Sequence, residues 1–205
     1  QNIYDVVDPG LVAKMHKAIT VIQFKVEGQI IKRHPEYGLN HRCLLEQVDF
    51  DKGTVEVDGK TYPMLDMKFP TIDPKDPLKL TEQEAELLQT LKMSFRHSGL
   101  LHKHIKFLYS HGSMYKCCNN NLLYHGCIPL KKDGSFDDIV FYGIPYSGKA
   151  LMDFVDQMVQ SAYFLPESNP DKGVASDFMW YLWCGAKSPL FGKEKMTTFE
   201  HYFIE

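Results

Sequence analysis

The chain has no run of about 18 apolar residues, so no segment reads as a membrane-spanning helix. It has no excess of one charge either. Its 23 Lys and Arg face 26 Asp and Glu, a net charge of −3 over 205 residues. That balance gives no electrostatic reason to expect nucleic acid, and there is no acidic tail. It has no C-x-x-C pair. The five cysteines, Cys43, Cys117, Cys118, Cys127 and Cys184, are an odd set without zinc-site or redox spacing. Cys117 and Cys118 are adjacent and do not easily bridge to each other. Free thiols of this kind suit a reducing cytosol. The opening residues, Gln1-Asn2-Ile3-Tyr4-Asp5, lack the basic and apolar regions of a signal peptide.

What is present is a chain with 44% hydrophobic residues, enough for a substantial core in one large or two small domains. Position 1 is Gln rather than Met, and residues 198–205 are aromatic and β-prone. Natural termini are usually polar and loose, so both ends are expected to have been cut from a longer protein.

Leu11, Met15, Ile19, Ile22, Val26 and Ile30 recur at helical spacing and predict a helix to about Lys32, ended by Pro35 and Gly38. A short helix is expected from Asn40 through Val48. Asp58-Gly59 between β-prone residues 54–57 and 60–62 predicts a type I′ hairpin. Pro70, Pro74 and Pro77 mark an irregular connector. Thr81 and Glu84 form a capping box that opens a helix to about His97. Ser98-Gly99 breaks it, and a second helix is expected over 100–110. Strands are expected at 114–118, 122–124 and 139–141, and a helix at 149–164. A polar loop at 166–173 and a short aromatic helix capped by Ser176 follow. The order predicts an α+β fold or a piece of an α/β fold. Residues 1–113 read as mainly helical with a hairpin near 54–62. Residues 114–205 read as mixed.

Three features invite a functional reading. Gly143-Ile144-Pro145-Tyr146-Ser147-Gly148-Lys149 has P-loop spacing, which would imply nucleotide binding. Yet Ala150 stands where the metal-binding hydroxyl belongs, and Pro145 removes one cradle N–H. An ordinary strand-to-helix turn with a solvated lysine is the simpler reading. His102-Lys103-His104 imitates a metal-binding H-x-H, but on a helix the two rings point about 200° apart. His97, His104 and His111 recur every seven residues and suit a partly exposed helix face better than a chelate. The third feature is Asn121-Leu122-Leu123-Tyr124-His125-Gly126-Cys127-Ile128-Pro129, which reads as a buried strand delivering His125 to a sheet edge. Gly126 would let the backbone turn tightly after it. A lone histidine there is either a hydrogen-bonded core residue or a metal ligand.

Residues 123–129 resemble the strand-His-Gly-x-hydrophobic-Pro segment of calcineurin-like metallophosphoesterases. More narrowly, much of the chain resembles the class III (Firmicute-type) fructose-1,6-bisphosphatases. The matching strings are residues 14–19, 22–29, 31–36, 69–74, 107–109, 112–115, 121–130, 181–183, 190–193 and 196–199. The resemblance implies hydrolysis of fructose 1,6-bisphosphate to fructose 6-phosphate and phosphate, a cytoplasmic gluconeogenic step. It implies a two-metal centre, with Mn²⁺ expected, at which a metal-bound hydroxide attacks phosphorus. It also implies that strands of the second half belong to a metallophosphoesterase-type sandwich. The superfamily's D-x-H, G-D-x-x-D-R and G-N-H-D/E ligand motifs do not occur in this chain, and only His125 matches a metal ligand. The chain is therefore expected to be an internal segment, incomplete as a catalytic domain and inactive alone, with no catalytic residue of its own. Lys187 and Lys193 are the expected phosphate contacts, because a sugar bisphosphate must meet cations. A different reading makes the chain a non-catalytic assembly or regulatory domain. In it the helix over 11–30 pairs with a partner or a second copy, giving a homo-oligomer.

Overall fold

The computed structural model describes residues 8–204. They are mixed α and β, with the strands in three separate, small antiparallel sheets. The chain divides into two compact units. One comprises residues 1–93 with 198–205, the other residues 94–197. Helix content alone would place the division near residue 113, whereas compactness places it between Met93 and Ser94 and returns the tail to the first unit.

In the first unit, helix α1 spans Pro9–Arg33. Asp8 caps it by accepting from the Gly10 N–H at 2.9 Å, and Pro9 occupies a position whose N–H would be orphaned anyway. Gly38 takes the left-handed conformation (φ 68°) that ends the following 3₁₀ turn, Pro35–Tyr37. The C-terminal half of α1 buries Val21, Ile22, Ile30 and Ile31. The N-terminal half leaves Leu11, Met15 and Ile19 exposed. The expected helix at 40–48 is two 3₁₀ turns, Asn40–Arg42 and Leu44–Gln47, and the cap position of the first is Leu39 rather than Asn40. Cys43, Leu44 and Leu45 are buried consecutively. The chain breaks between the two turns at Cys43.

Strands β1 (Val48–Asp49), β2 (Thr54–Val57) and β3 (Lys60–Pro63) pair in order, with Val57 opposite Lys60. Asp58 and Gly59 have φ of 51° and 75°, as a type I′ turn requires. The β-prone tail is not a strand but a helix, α6 (Thr198–Phe203). Phe199 and Phe203, four residues apart, are both buried, and they ring-pack on Phe24 and Phe69. Tertiary burial of one helical face overrides the β-propensity of the aromatics. Glu200 meets Arg42 through two bonds of 2.6 and 2.8 Å.

Helix α2 (Glu82–Arg96) opens on the predicted capping box. Glu84 N–H donates to Thr81 Oγ1 at 3.2 Å, and the Thr81 N–H donates to Glu84 Oε2 at 2.8 Å. The same carboxylate receives Lys25 Nζ at 2.7 Å. Lys25 is fully buried on α1 and also donates to the Thr71 carbonyl at 2.6 Å. Burial alone would raise the Glu84 carboxyl. The hydrogen bonds from Lys25, Thr71 and the Thr81 backbone outweigh it and hold the carboxyl below its ordinary value.

The second unit holds α3 (Gly99–His111), α4 (Gly148–Phe164) and α5 (Pro170–Cys184). Its core gathers Phe141, Leu151, Val155 and Phe178, with Phe141 edge-on to Phe178 at 5.1 Å. Helix α5 begins before Ser176. Asn169 is its cap, accepting from the Asp171 N–H at 2.9 Å, and Pro170 follows it. Ser176 lies inside the helix and bonds back to the Lys172 carbonyl.

Candidate functional site

Two strands, β4 (Tyr115–Cys118) and β5 (Asn121–Tyr124), form a ribbon in the second unit. Its turn places Asn119 and Asn120 at φ 49° and 58°, a conformation that asparagine tolerates better than other side chains. The expected buried strand is not buried in this chain. Leu122, Leu123 and Tyr124 are 48%, 56% and 46% exposed. A two-stranded ribbon has no third strand or second layer to cover both faces, so the apolar run lies open.

His125 follows the ribbon directly and is exposed. The backbone after it is fixed by close approach rather than by a positive φ at Gly126. A Cβ on Gly126 would collide with the Pro189 carbonyl and lie 3.1 Å from Leu190. The Cys127 N–H donates to that Pro189 carbonyl at 2.9 Å. Buried Ser188 holds the receiving loop. Its Oγ donates to the Leu182 carbonyl at 2.7 Å and accepts from the Leu190 N–H at 3.2 Å. Thus α5, the 188–190 loop and the end of β5 together set where His125 stands.

These elements line a cavity of about 510 Å³. Its polar members are His125 and Lys193. Its apolar lining is Met179, Leu182 and Trp183 from α5, with Leu190, Phe191 and Met196. Met179, Leu182 and Trp183 share one helix face at i, i+3, i+4. Lys193 Nζ sits 5.9 Å from the Phe191 ring centroid. No carboxylate among the described residues lines the cavity, so nothing there opposes an anion. Two of the three candidate residues, far apart in sequence, are therefore brought together. Lys187 is not among the lining residues. Its ammonium is 2.7 Å from Asp137.

The cavity does not by itself fit a metal centre. Among the described residues, no three His, Cys, Asp or Glu side chains gather to hold an ion, and beside His125 the cavity offers a lysine, which repels cations. His97 lies beyond the end of α2, and His102 is 2.9 Å from the Tyr163 hydroxyl.

The P-loop-like string runs from the turn of a β-hairpin through its second strand to the start of α4. Strands β6 (Ile139–Phe141) and β7 (Ile144–Tyr146) pair around Tyr142 and Gly143, whose φ values of 54° and 78° make the turn. Phe136 packs 3.1 Å from where a Gly148 Cβ would lie. Lys149 binds Asp153 at 2.5 Å, which holds its ammonium above its ordinary value. Buried Cys43 is no nucleophile either, since burial pushes its thiol up to about 12.

Sequence reasoning gave no role to Trp183, which is 65% exposed on the cavity. Trp180 and Trp183 differ by three residues in one helix, and only packing distinguishes them.

The model of the Firmicute fructose-1,6-bisphosphatase family matches residues 1–205. A class 3 fructose-1,6-bisphosphatase from Clostridium tetani (strain Massachusetts / E88) is 54% identical over 204 residues, covering 100% of this chain and 31% of that protein. One from Clostridium novyi (strain NT) is 52% identical over 196 residues, covering 96% and 30%. One from Bacteroides fragilis (strain YCH46) is 50% identical over 194 residues, covering 95% and 29%. The chain thus spans about 30% of the length of these curated relatives. No solved structure matches it. Matched along its whole length, the chain belongs to the Firmicute fructose-1,6-bisphosphatase family.

Proposed function

We propose that the chain is a segment of a cytoplasmic enzyme that hydrolyses fructose 1,6-bisphosphate to fructose 6-phosphate and phosphate in gluconeogenesis. The observation that carries this reading is the match of half or more of the positions to proteins named for that activity. The cavity supports it, since an imidazole and an ammonium share a recess free of carboxylates among the described residues. Lys193 is the better-placed phosphate contact. Lys187 is a second contact only if it leaves Asp137.

A manganese-dependent metallophosphoesterase centre belongs to this proposal for the full-length protein alone. His125 is the ligand this segment contributes, and the other ligands lie outside residues 1–205. The exposed β4–β5 ribbon suits a sheet completed by the same missing parts, as a metallophosphoesterase-type sandwich requires. The test is phosphate release by the full-length protein and its His125→Ala variant. The reading requires manganese-dependent release that falls at least about tenfold in the variant together with its bound metal. Full activity and full metal content in the variant would remove His125 from the centre.

A second reading has one specific observation behind it. Leu11, Met15 and Ile19 form an exposed stripe on α1 that suits pairing with a second copy. Sedimentation of Met15→Glu beside the parent chain distinguishes the two. A monomeric variant from a dimeric parent supports assembly, and identical masses contradict it.

A further inference from the structure

We infer that Trp183 is the platform on which the sugar ring of the substrate rests, in the cavity that also holds His125 and Lys193. The inference rests on the proposed phosphatase reading and assigns it a substrate-positioning residue.

Three observations converge on it. First, Trp183 is 65% exposed although its neighbours on α5, Leu182 and Cys184, are 2% and 8% exposed. The helix buries the residues on either side and turns one of its two tryptophans into open space. Second, that space is bounded. It is a cavity of about 510 Å³, within the range that takes a small ligand. Third, the lining pairs an aromatic surface with cationic chemistry. The indole shares the recess with Lys193 and His125 and, among the described residues, with no carboxylate.

This combination selects a ligand class. A purely apolar ligand would leave the Lys193 ammonium without a counter-charge, and a bare metal ion would be repelled by it. A sugar phosphate uses both features. The C–H face of its ring is weakly positive and meets the negative π-face of the indole, while phosphate oxygens accept from Lys193 Nζ. The 126–127 and 188–190 backbone contacts fix the recess that Trp183 faces, so the platform is held before ligand arrives.

The test compares full-length wild type with Trp183→Ala and Trp183→Tyr on two substrates, fructose 1,6-bisphosphate and glycerol 2-phosphate. The first presents a ring to the indole and the second does not. In Trp183→Ala, KM for the bisphosphate rises about three- to tenfold, the size of one lost aromatic contact, with kcat changed less. KM for glycerol 2-phosphate moves less than KM for the bisphosphate, and Trp183→Tyr restores most of the KM. An unchanged KM in Trp183→Ala overturns the inference. So does an equal loss on both substrates with a lowered melting temperature, which would make Trp183 a packing residue covered by other parts of the protein. A wild-type enzyme that turns over glycerol 2-phosphate but not the bisphosphate overturns the proposed function itself, a different result from either.

Discussion

In the unit that carries α1 and the three-stranded sheet, buried charge is matched by buried charge. Lys25 is fully buried and satisfied by Glu84 and the Thr71 carbonyl, and Arg42 grips Glu200 with two bonds. In the other unit, the residues of the candidate site stand open. His125 and Lys193 are exposed, the Lys193 ammonium lies 5.9 Å from the Phe191 ring centroid, and the apolar ribbon before them is half in water. The difference separates residues whose chemistry is spent on holding the fold from residues whose chemistry remains available. Charged side chains alone do not mark a site. The deepest one among the described residues, Lys25, is structural.

Lys25→Met should be the most damaging substitution. It leaves Glu84 buried without its cation, and a broken buried pair costs about 3–5 kcal/mol. Urea denaturation should show that loss, and Glu84→Gln in the same chain should recover part of it. A loss no larger than that of a surface pair would mean that water satisfies Glu84. Gly126→Ala comes next. The added methyl meets the Pro189 carbonyl, and overpacking of this kind costs about 1–3 kcal/mol. A neutral effect on the denaturation midpoint would show that the 188–190 loop yields easily. Thr81→Ala removes one half of the capping box and should cost about 1 kcal/mol.

Acid gives a smaller, graded test. The Glu84 carboxyl lies below its ordinary value in the fold, so its contribution is fully present above the unfolded carboxylate value. It is lost as pH falls through the lower, folded value. Stability measured from pH 6 downward should therefore drop in the acid range, and Glu84→Gln should flatten that drop. A variant with an unaltered acid profile would assign the acid sensitivity to other groups.

Much of the fold was legible because local rules and tertiary packing agree. Thr81 and Glu84 form the capping box that their spacing predicts. Asp58-Gly59 makes the predicted turn, and α1 runs within two residues of its expected ends. The misses fall where packing overrides local preference. Phe199 and Phe203 read as strand residues, yet they fold as a helix because i, i+4 spacing buries both. Leu122 to Tyr124 read as a buried strand because apolar runs usually are. Periodicity cannot report whether a second layer exists to cover them. The site was legible in part. Resemblance singled out His125, and phosphate chemistry suggested Lys193. Their meeting in one recess depends on Ser188 and Gly126, whose contacts are tertiary. Trp183 could not be told from Trp180 without knowing which one α5 turns outward.

Under the proposed function, residues 1–205 hold part of a site and do not turn over substrate alone. Manganese-dependent phosphate release from fructose 1,6-bisphosphate, measured side by side on the full-length protein and on residues 1–205, decides this. The full-length protein should release phosphate and the segment none above background. Release by the segment alone would overturn the proposal.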